Sequence, residues 1–393
     1  MNALLLQPKV QAYIQAHLAH DPLSLVFKKS AFAGISQAEI VEQLASKQRI
    51  EKKLPTWFAH DQVYYPNKLH LSQSSSEITA QYKASLVQGD CLADLTGGFG
   101  VDALAFSKVV KRVVHLERDQ NLAAVAKHNF RVLGAKNVES FTGDGMEWLK
   151  TQEGKLDWLY VDPSRRDSRK KKVFLLTDCT PNVVAAQEML LGKAEKVLIK
   201  TGPLLDLSAG LDQLRHVREI HIVAVRNEVK EVLWWLQRGA AETPLVKTIN
   251  VTTAGAQRFN FFLKDEALAA PKLGPVGHYL YEPNAAILKS GAFNILSKAL
   301  DLVKLHPHSH LYTSKHLLDF PGRVFKVNQV LPYSKKTIKA LGLKKANITV
   351  RNFPLSVAAL REKTGLKEGG EDYLFFTTNM HNKLLIVIGL KSG

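Results

Sequence analysis

Cysteine is scarce in this chain: 393 residues hold two, Cys91 and Cys179. Two cannot build a disulfide framework or a multi-cysteine zinc site, so a reducing compartment and no metal are expected. Long apolar runs are missing as well. The longest candidates, such as Leu384–Leu390, have strand length and fall short of the ~18–20 residues a spanning helix needs. Met1–Gln7 carries a short apolar patch without a basic leader or a small-residue cleavage site, so no secretion signal is expected. There is no internal repeat and no long low-complexity segment. Acidic residues are few relative to basic ones: 36 Asp and Glu stand against 53 Lys and Arg. These absences point to a cytoplasmic protein without a membrane partner.

What is present is a globular composition, 46% apolar and 23% charged, in a chain long enough for two or three folded units. The net charge of +17 favours a polyanionic partner through phosphate contacts and counterion release. The excess is uneven, since residues 271–393 hold 18 Lys and Arg against 7 Asp and Glu.

Residues 1–85 read as a helical region. Ser36-Gln-Ala-Glu39 is a capping box opening an amphipathic helix with Ile40, Val41 and Leu44 on its apolar stripe. A loop with Trp57, Tyr64 and Tyr65 follows, and Ser72–Glu77 offers caps for a helix over 78–87. From Gly89 strands alternate with helices. Apolar runs end in polar or acidic residues at Cys91–Asp94, Val113–Glu117, Val138–Thr142, Leu156–Asp162, Val197–Lys200 and Ile220–Val225. That rhythm predicts an α/β fold, a parallel sheet wound on both faces. Val229–Leu236 reads as a helix and Arg258–Leu263 as one more strand, giving seven strands in a domain over 86–265. A Pro- and Gly-containing linker leads to smaller α+β units over 275–320 and 321–393. There, Ala285–Lys304 reads as helical and Ser334–Leu341 as a basic helix.

The first strand is expected to turn into its helix through Asp94-Leu-Thr96-Gly97-Gly98-Phe-Gly100-Val-Asp102-Ala103. Glycines there let the backbone approach a ligand. Two cofactors compete for this loop. Gly98-x-Gly100-x-x-Ala103, with Glu117 downstream, fits a dinucleotide fingerprint. Asp94 argues against it, because a carboxylate faces dinucleotide phosphates unfavourably. S-adenosylmethionine carries an ammonium, a ribose diol and an adenine but no phosphate, and so calls for acids at successive strand ends. Asp94, Glu117, Asp144 and Asp162 fall at the ends of strands one to four, which favours S-adenosylmethionine. Asp144 taken alone has a lesser, purely structural reading as the cap of the helix containing Met146–Leu149.

With these motifs, roughly Leu86–Leu263 resembles the class I S-adenosylmethionine-dependent methyltransferases, with their seven-stranded, doubly wound Rossmann-like core. The resemblance implies that Asp94, Thr96, Gly98 and Gly100 frame the methionine end of the cofactor. It implies further that Glu117 takes the ribose hydroxyls and Asp144 the adenine amino group. Thr96 departs from the glycine many members carry there.

Leu159-Tyr-Val-Asp162-Pro163-Ser164-Arg165-Arg166 stands where such enzymes present the nucleophile. Proline fixes the chain direction, and the carboxylate can accept hydrogen bonds from a planar N–H and then its proton. The segment is similar to the Asn/Asp-Pro-Pro-Tyr/Phe motif of amino-methyltransferases, with Ser164 for the second proline and Arg165 for the aromatic. It also resembles the Asp-Pro-Pro-Arg segment of uridine-5 methyltransferases. Those need a cysteine near strand five, where this chain has Ile199-Lys-Thr-Gly-Pro203, so carbon-5 chemistry is excluded. Arg165, Arg166, Arg169 and Lys170–Lys172 form a cationic run beside Asp162 that is either a solvated loop or a phosphate guide.

From about Leu273 the sequence is similar to the C-terminal part of a bacterial methyltransferase family with a ferredoxin-like segment and a THUMP-like domain. The residues carrying this are Tyr281–Ala286, Lys326–Val330, Pro332–Lys336, Val350–Pro354 and Gly369–Tyr373. THUMP domains bind RNA, often transfer RNA, which makes RNA the implied partner. Lys335, Lys336, Lys339, Lys344, Lys345 and Arg351 offer a basic face for phosphates. His306, His308 and His310 alternate without a matching carboxylate and read as loop histidines. The expectation is an S-adenosylmethionine-dependent methyltransferase acting on a nitrogen of RNA, with Asp162 and Pro163 at the reaction centre. Its rivals are a methyltransferase of proteins or small molecules and a non-catalytic RNA-binding protein that keeps the cofactor fold.

Overall fold

The computed structural model describes residues 1–165 and 175–392. Arg166, Arg169 and Lys170–Lys172 of the cationic run lie outside the described residues. The chain forms two compact units, Met1–Val217 with Leu233–Ala240, and Arg218–Val232 with Ala241–Gly393.

The first unit opens with helices α1 (Pro8–Ala16) and α2 (Gln37–Ile50), whose apolar faces bury Val10, Ile14, Ile40 and Leu44 around Leu5 and Leu25. The capping box forms as its spacing dictates: Ser36 Oγ accepts the Glu39 N–H, and Glu39 accepts the Ser36 N–H at 2.8 Å. Such a cap contributes about 1 kcal/mol. Helix α3 (Glu77–Ala84), capped by Ser76, precedes the sheet.

The sheet of this unit alternates β1 (Gly89–Asp94), α4 (Val101–Phe106), β2 (Val110–Glu117), α5 (Gln120–Val132) and β3 (Val138–Thr142). It continues with α6 (Gly145–Thr151), β4 (Leu156–Val161), α7 (Val183–Lys193), β5 (Ala194–Thr201) and α8 (Leu207–Gln213). The strands run parallel in the order β3-β2-β1-β4-β5, as the strand–helix rhythm predicts. Four consecutive residues of β4, Trp158 to Val161, are buried, the pattern of a strand covered on both sides.

Two strands were absent from the sequence reading. Glu228–Leu236, expected in part as a helix, is strand β7, joined to β6 (Val217–Val225) by a two-residue turn. Arg226 and Asn227 both take positive φ there, 51° and 63°, the geometry that suits tight hairpins. Strand β8 (Leu245–Thr252) escaped notice because its buried positions include Thr248 and Asn250, so the apolar alternation is missing. It pairs with β6 in parallel and with β9 (Gly255–Phe262) in antiparallel. Among the described residues these additions make a sheet of nine strands where seven were expected.

The second unit continues with a mixed sheet. Its main strands are β10 (Tyr279–Pro283), β11 (Tyr312–Ser314), β12 (Gly322–Pro332), β13 (Asn347–Arg351), β14 (Asp372–Thr378) and β15 (Leu384–Lys391). They lie in the order β11-β10-β12-β15-β14-β13, with two short strands beyond β11. Alternate residues of β14 and β15 feed the two faces: Phe375 and Val387 join Leu280 and Phe325, while Phe376 and Ile386 join Leu360. The expected helix Ala285–Lys304 is two, α9 (Ala285–Ser290) and α10 (Asn294–Ala299), because Gly291 ends the first in the left-handed region. Helices α11 (Lys335–Ala340) and α12 (Val357–Thr364) complete the unit.

Candidate active site

The sheet of the first unit reverses its winding between β1 and β4, and wound sheets bind ligands at the carboxyl ends of strands flanking such a point. Strand β1 ends on Asp94, and Asp162 directly follows β4. Thr96 ties the two ends together. Its N–H donates to Asp94 Oδ1 at 3.0 Å, and its hydroxyl oxygen accepts the Asp162 N–H at 2.7 Å. The glycine common at this position in similar enzymes would lose that second bond.

The glycines that follow are each required differently. A Cβ on Gly97 would lie 2.3 Å from His115 Nε2. Gly98 and Gly100 take φ of +56° and +87°, where side chains are strained. Beside Gly100 a Cβ would meet the Phe130 ring at 2.5 Å, whereas beside Gly98 the nearest atom is 3.9 Å away. Gly98 is therefore where the loop leaves room for a ligand.

Glu117 holds this loop from β2: Oε2 accepts the Gly98 N–H at 2.8 Å and Oε1 the Asp119 N–H at 2.7 Å. Asp144 caps α6, its Oδ1 accepting the N–H groups of Met146 and Glu147 at 2.8 and 3.2 Å. Its Oδ2 lies 3.8 Å from Arg118. Two hydrogen-bond chains, Asp94–Thr96–Asp162 and Gly98–Glu117, thus lie at one sheet edge, with Asp144 at the head of the helix after β3. Beyond Pro163, Ser164 and Arg165 pair with Thr180 and Cys179.

Sequence reasoning missed three groups here. Lys200, at the end of β5, forms an ion pair with Asp162 Oδ2. Asp102, in the first turn of α4, accepts from Ser75 Oγ at 2.7 Å and Tyr160 Oη at 2.9 Å, and pairs with buried Lys83 at 3.2 Å. Ser75 thereby brings the segment before α3 onto the helix that the glycine loop opens. Buried His115 donates or accepts at Nδ1 with the Ser140 hydroxyl, 3.0 Å away. Lys200 was visible as a cation at a strand end among strand-end acids; Asp102 and His115 lay inside motifs whose pattern did not mark them.

The electrostatics of the edge are acidic. Burial pushes the Asp94 carboxyl well above the usual carboxylate range against the Thr96 N–H bond, and Asp102, Asp162 and Glu117 push the same way. For Asp102 burial also pushes upward, but Lys83 and Lys200, with the Ser75 and Tyr160 hydrogen bonds, bring its carboxyl below the ordinary value. Burial lowers the His115 imidazole to about 4. An edge of this kind rewards a cation and penalises a pyrophosphate.

The flanking aromatics pack: Trp57 and Tyr65 are buried, and Trp57 lies 4.7 Å from the Phe99 ring. In the second unit Lys335, Lys336, Lys344 and Lys345 are exposed. Arg351 differs from the expected phosphate contact. It donates to Glu282 Oε1 at 2.8 Å, and the same buried carboxylate also holds Arg323. His306 bonds Asn382 at 3.0 Å and Asn352 at 2.9 Å, while His310 stacks on Phe293. Among the described residues no group of three or more His, Cys, Asp or Glu is placed to hold a metal, and no helix is long and apolar enough to cross a membrane.

Comparison with known proteins places these features. A ferredoxin-like domain family matches residues 279–321, and a THUMP domain-like family matches residues 322–390. A crystal structure of a candidate methyltransferase from Porphyromonas gingivalis W83 is 32% identical, covers 98% of both chains and superposes with a TM-score of 0.90. A Thermotoga maritima protein named as an uncharacterized RNA methyltransferase is 25% identical over 139 residues, 33% of this chain and 32% of that protein. The chain thus spans about a third of the length of that curated relative.

Proposed function

We propose that this chain, which belongs to the methyltransferase family of the Porphyromonas gingivalis protein, is an S-adenosylmethionine-dependent methyltransferase acting on a nitrogen of RNA. The observation that carries the reading is the acidic sheet edge at the switch point, where Asp94, Glu117 and Asp162 surround a glycine loop with open space beside Gly98. The RNA substrate is supported by the THUMP-like match and by the basic surface of the second unit.

The residues present fit this cofactor. Asp94 would receive its ammonium group, and the Thr96–Gly100 backbone would lie against its methionine end. Each Glu117 oxygen accepts one hydrogen bond within the protein and retains capacity for a ribose hydroxyl. Asp144 keeps Oδ2 for the adenine amino group while Oδ1 caps α6. When bound, S-adenosylmethionine supplies a methyl group on a sulfonium for in-line displacement. Asp162 accepts the target N–H and then its proton, and Pro163 fixes the direction of the chain beneath it. Arg165, Arg166, Lys335, Lys336, Lys344 and Lys345 would guide RNA phosphates, while Arg351 supports the fold through Glu282.

Calorimetry with S-adenosylmethionine on the wild type and Asp94→Ala tests the cofactor. Heat from the wild type and its loss in the variant are expected; no heat from the wild type refutes the assignment. Labelled cofactor incubated with total RNA and, separately, with protein extract tests the substrate. Label confined to protein would replace RNA with a protein substrate, and label in neither fraction would favour a non-catalytic RNA-binding protein.

A further inference from the structure

We propose that Lys200 is a positioning residue for the methyl-transfer step, fixing the Asp162 carboxylate so that Oδ1 is held for the target N–H. The inference rests on the methyltransferase reading above and adds to it a residue that no strand-end motif marks.

Three observations meet at this pair. The Asp162 main chain is anchored, because its N–H donates to Thr96 Oγ1 at 2.7 Å. Its Oδ2 is taken by the Lys200 ammonium. Among the described residues its Oδ1 has no hydrogen-bond partner, although the side chain is a third exposed at 33%. A carboxylate has two torsions, so an anchored backbone and one fixed oxygen determine where the other points. Lys200 itself is only 13% exposed and sits at the end of β5, a rigid strand whose register with β4 pairs Val161 with Ile199. Lys200 also acts on Asp102, which the Ser75 and Lys83 contacts hold in place. The cation is thus built into the sheet edge rather than carried on a loop.

The residue type matters. An ammonium is a compact point charge that engages one carboxylate oxygen, whereas a guanidinium tends to take both in a fork. A lysine leaves Oδ1 available to a substrate. The free oxygen is an acceptor only, so it selects a nitrogen that carries hydrogen, such as the exocyclic amine of a nucleobase, over a ring nitrogen with an exposed lone pair.

The test uses the full chain as wild type, Lys200→Met, Asp162→Asn and the double variant. The probe is tritiated S-adenosylmethionine with RNA from cells lacking this protein. Lys200→Met is expected to lower kcat at least tenfold, with KM for RNA and calorimetric affinity for S-adenosylmethionine within twofold of wild type. In the Asp162→Asn background the same change is expected to cost nothing further, since Lys200 acts through Asp162. A merely structural lysine would give multiplicative losses. Full activity of Lys200→Met, multiplicative losses, or a loss confined to cofactor affinity would each overturn the proposal. Thermal unfolding of the same four proteins reads the coupling without activity. If wild type labels no RNA, the RNA reading fails; additive shifts in unfolding would then overturn the Lys200–Asp162 pairing, and non-additive shifts would support it.

Discussion

His115 makes the first unit acid-sensitive in a way that can be calculated. Its imidazole is fully buried, faces the Ser140 hydroxyl through Nδ1, and has no hydrogen-bond partner at Nε2 among the described residues. Burial lowers it to about 4, against an ordinary value of 6.5. The folded state therefore resists the proton that the unfolded chain accepts, so stability is fully present above about pH 6.5 and falls as the pH drops toward 4. Between pH 7 and pH 5 the linkage relation gives a loss of about 2 kcal/mol for this one group. All five tryptophans, including Trp57, Trp158 and Trp234, lie in the first unit, so their fluorescence in urea unfolding follows that unit alone. The other depressed histidines, His221 and His310, belong to the second unit. Wild type should lose about 2 kcal/mol more than His115→Gln between the two pH values, and histidine NMR should show a ring titrating near 4. Equal losses in the two proteins, or titration of His115 near 6.5, would refute the reasoning.

Two further outcomes follow from close contacts. Gly97→Ala puts a methyl 2.3 Å from His115 Nε2, and overpacking of this kind costs about 1–3 kcal/mol. Its urea midpoint should fall and its calorimetric response to S-adenosylmethionine should vanish; a midpoint equal to wild type would contradict the packing argument. Glu282→Gln leaves Arg323 and Arg351 facing a neutral amide in place of a buried carboxylate, a loss of about 3 kcal/mol. Faster amide exchange in β13 and β10 is expected, and unchanged exchange would show the two arginines to be satisfied elsewhere.

The sheet order up to β5 was legible because each strand is a short apolar run ending in a polar residue, with amphipathic helices between. The signal weakens where burial and polarity part company. Thr248 and Asn250 are buried but polar, with Thr248 Oγ1 donating to the Phe259 carbonyl and Asn250 Nδ2 donating to Gln257 Oε1, so β8 leaves no strand pattern in the sequence. Val229, Val232, Leu233 and Leu236 fall at helical spacing, so the segment reads as a helix, and the turn that makes it a strand rests on Arg226 and Asn227, a pair without glycine. At the site, strand ends marked Asp94, Glu117 and Asp162 by position alone. Lys200 and Asp102 were not marked, because their meaning lies in partners 38 and 27 residues away, Asp162 and Ser75. The pairing of Arg351 was hidden for the same reason: its carboxylate partner, Glu282, is 69 residues distant.

The short return of the chain into the first unit, Leu233–Ala240, bears on how this protein can be cut and recombined. Trp234, wholly buried, donates its indole N–H to Thr201 Oγ1 at 3.0 Å and presses so closely on Gly210 that a Cβ there would lie 2.4 Å from its ring. Thr201 adjoins Lys200. An excision that stops at Val217 would therefore remove a wall from beside the proposed reaction centre and open a hole the size of an indole. A fragment meant to keep the first unit whole must therefore carry Leu233–Ala240 along with Met1–Val217.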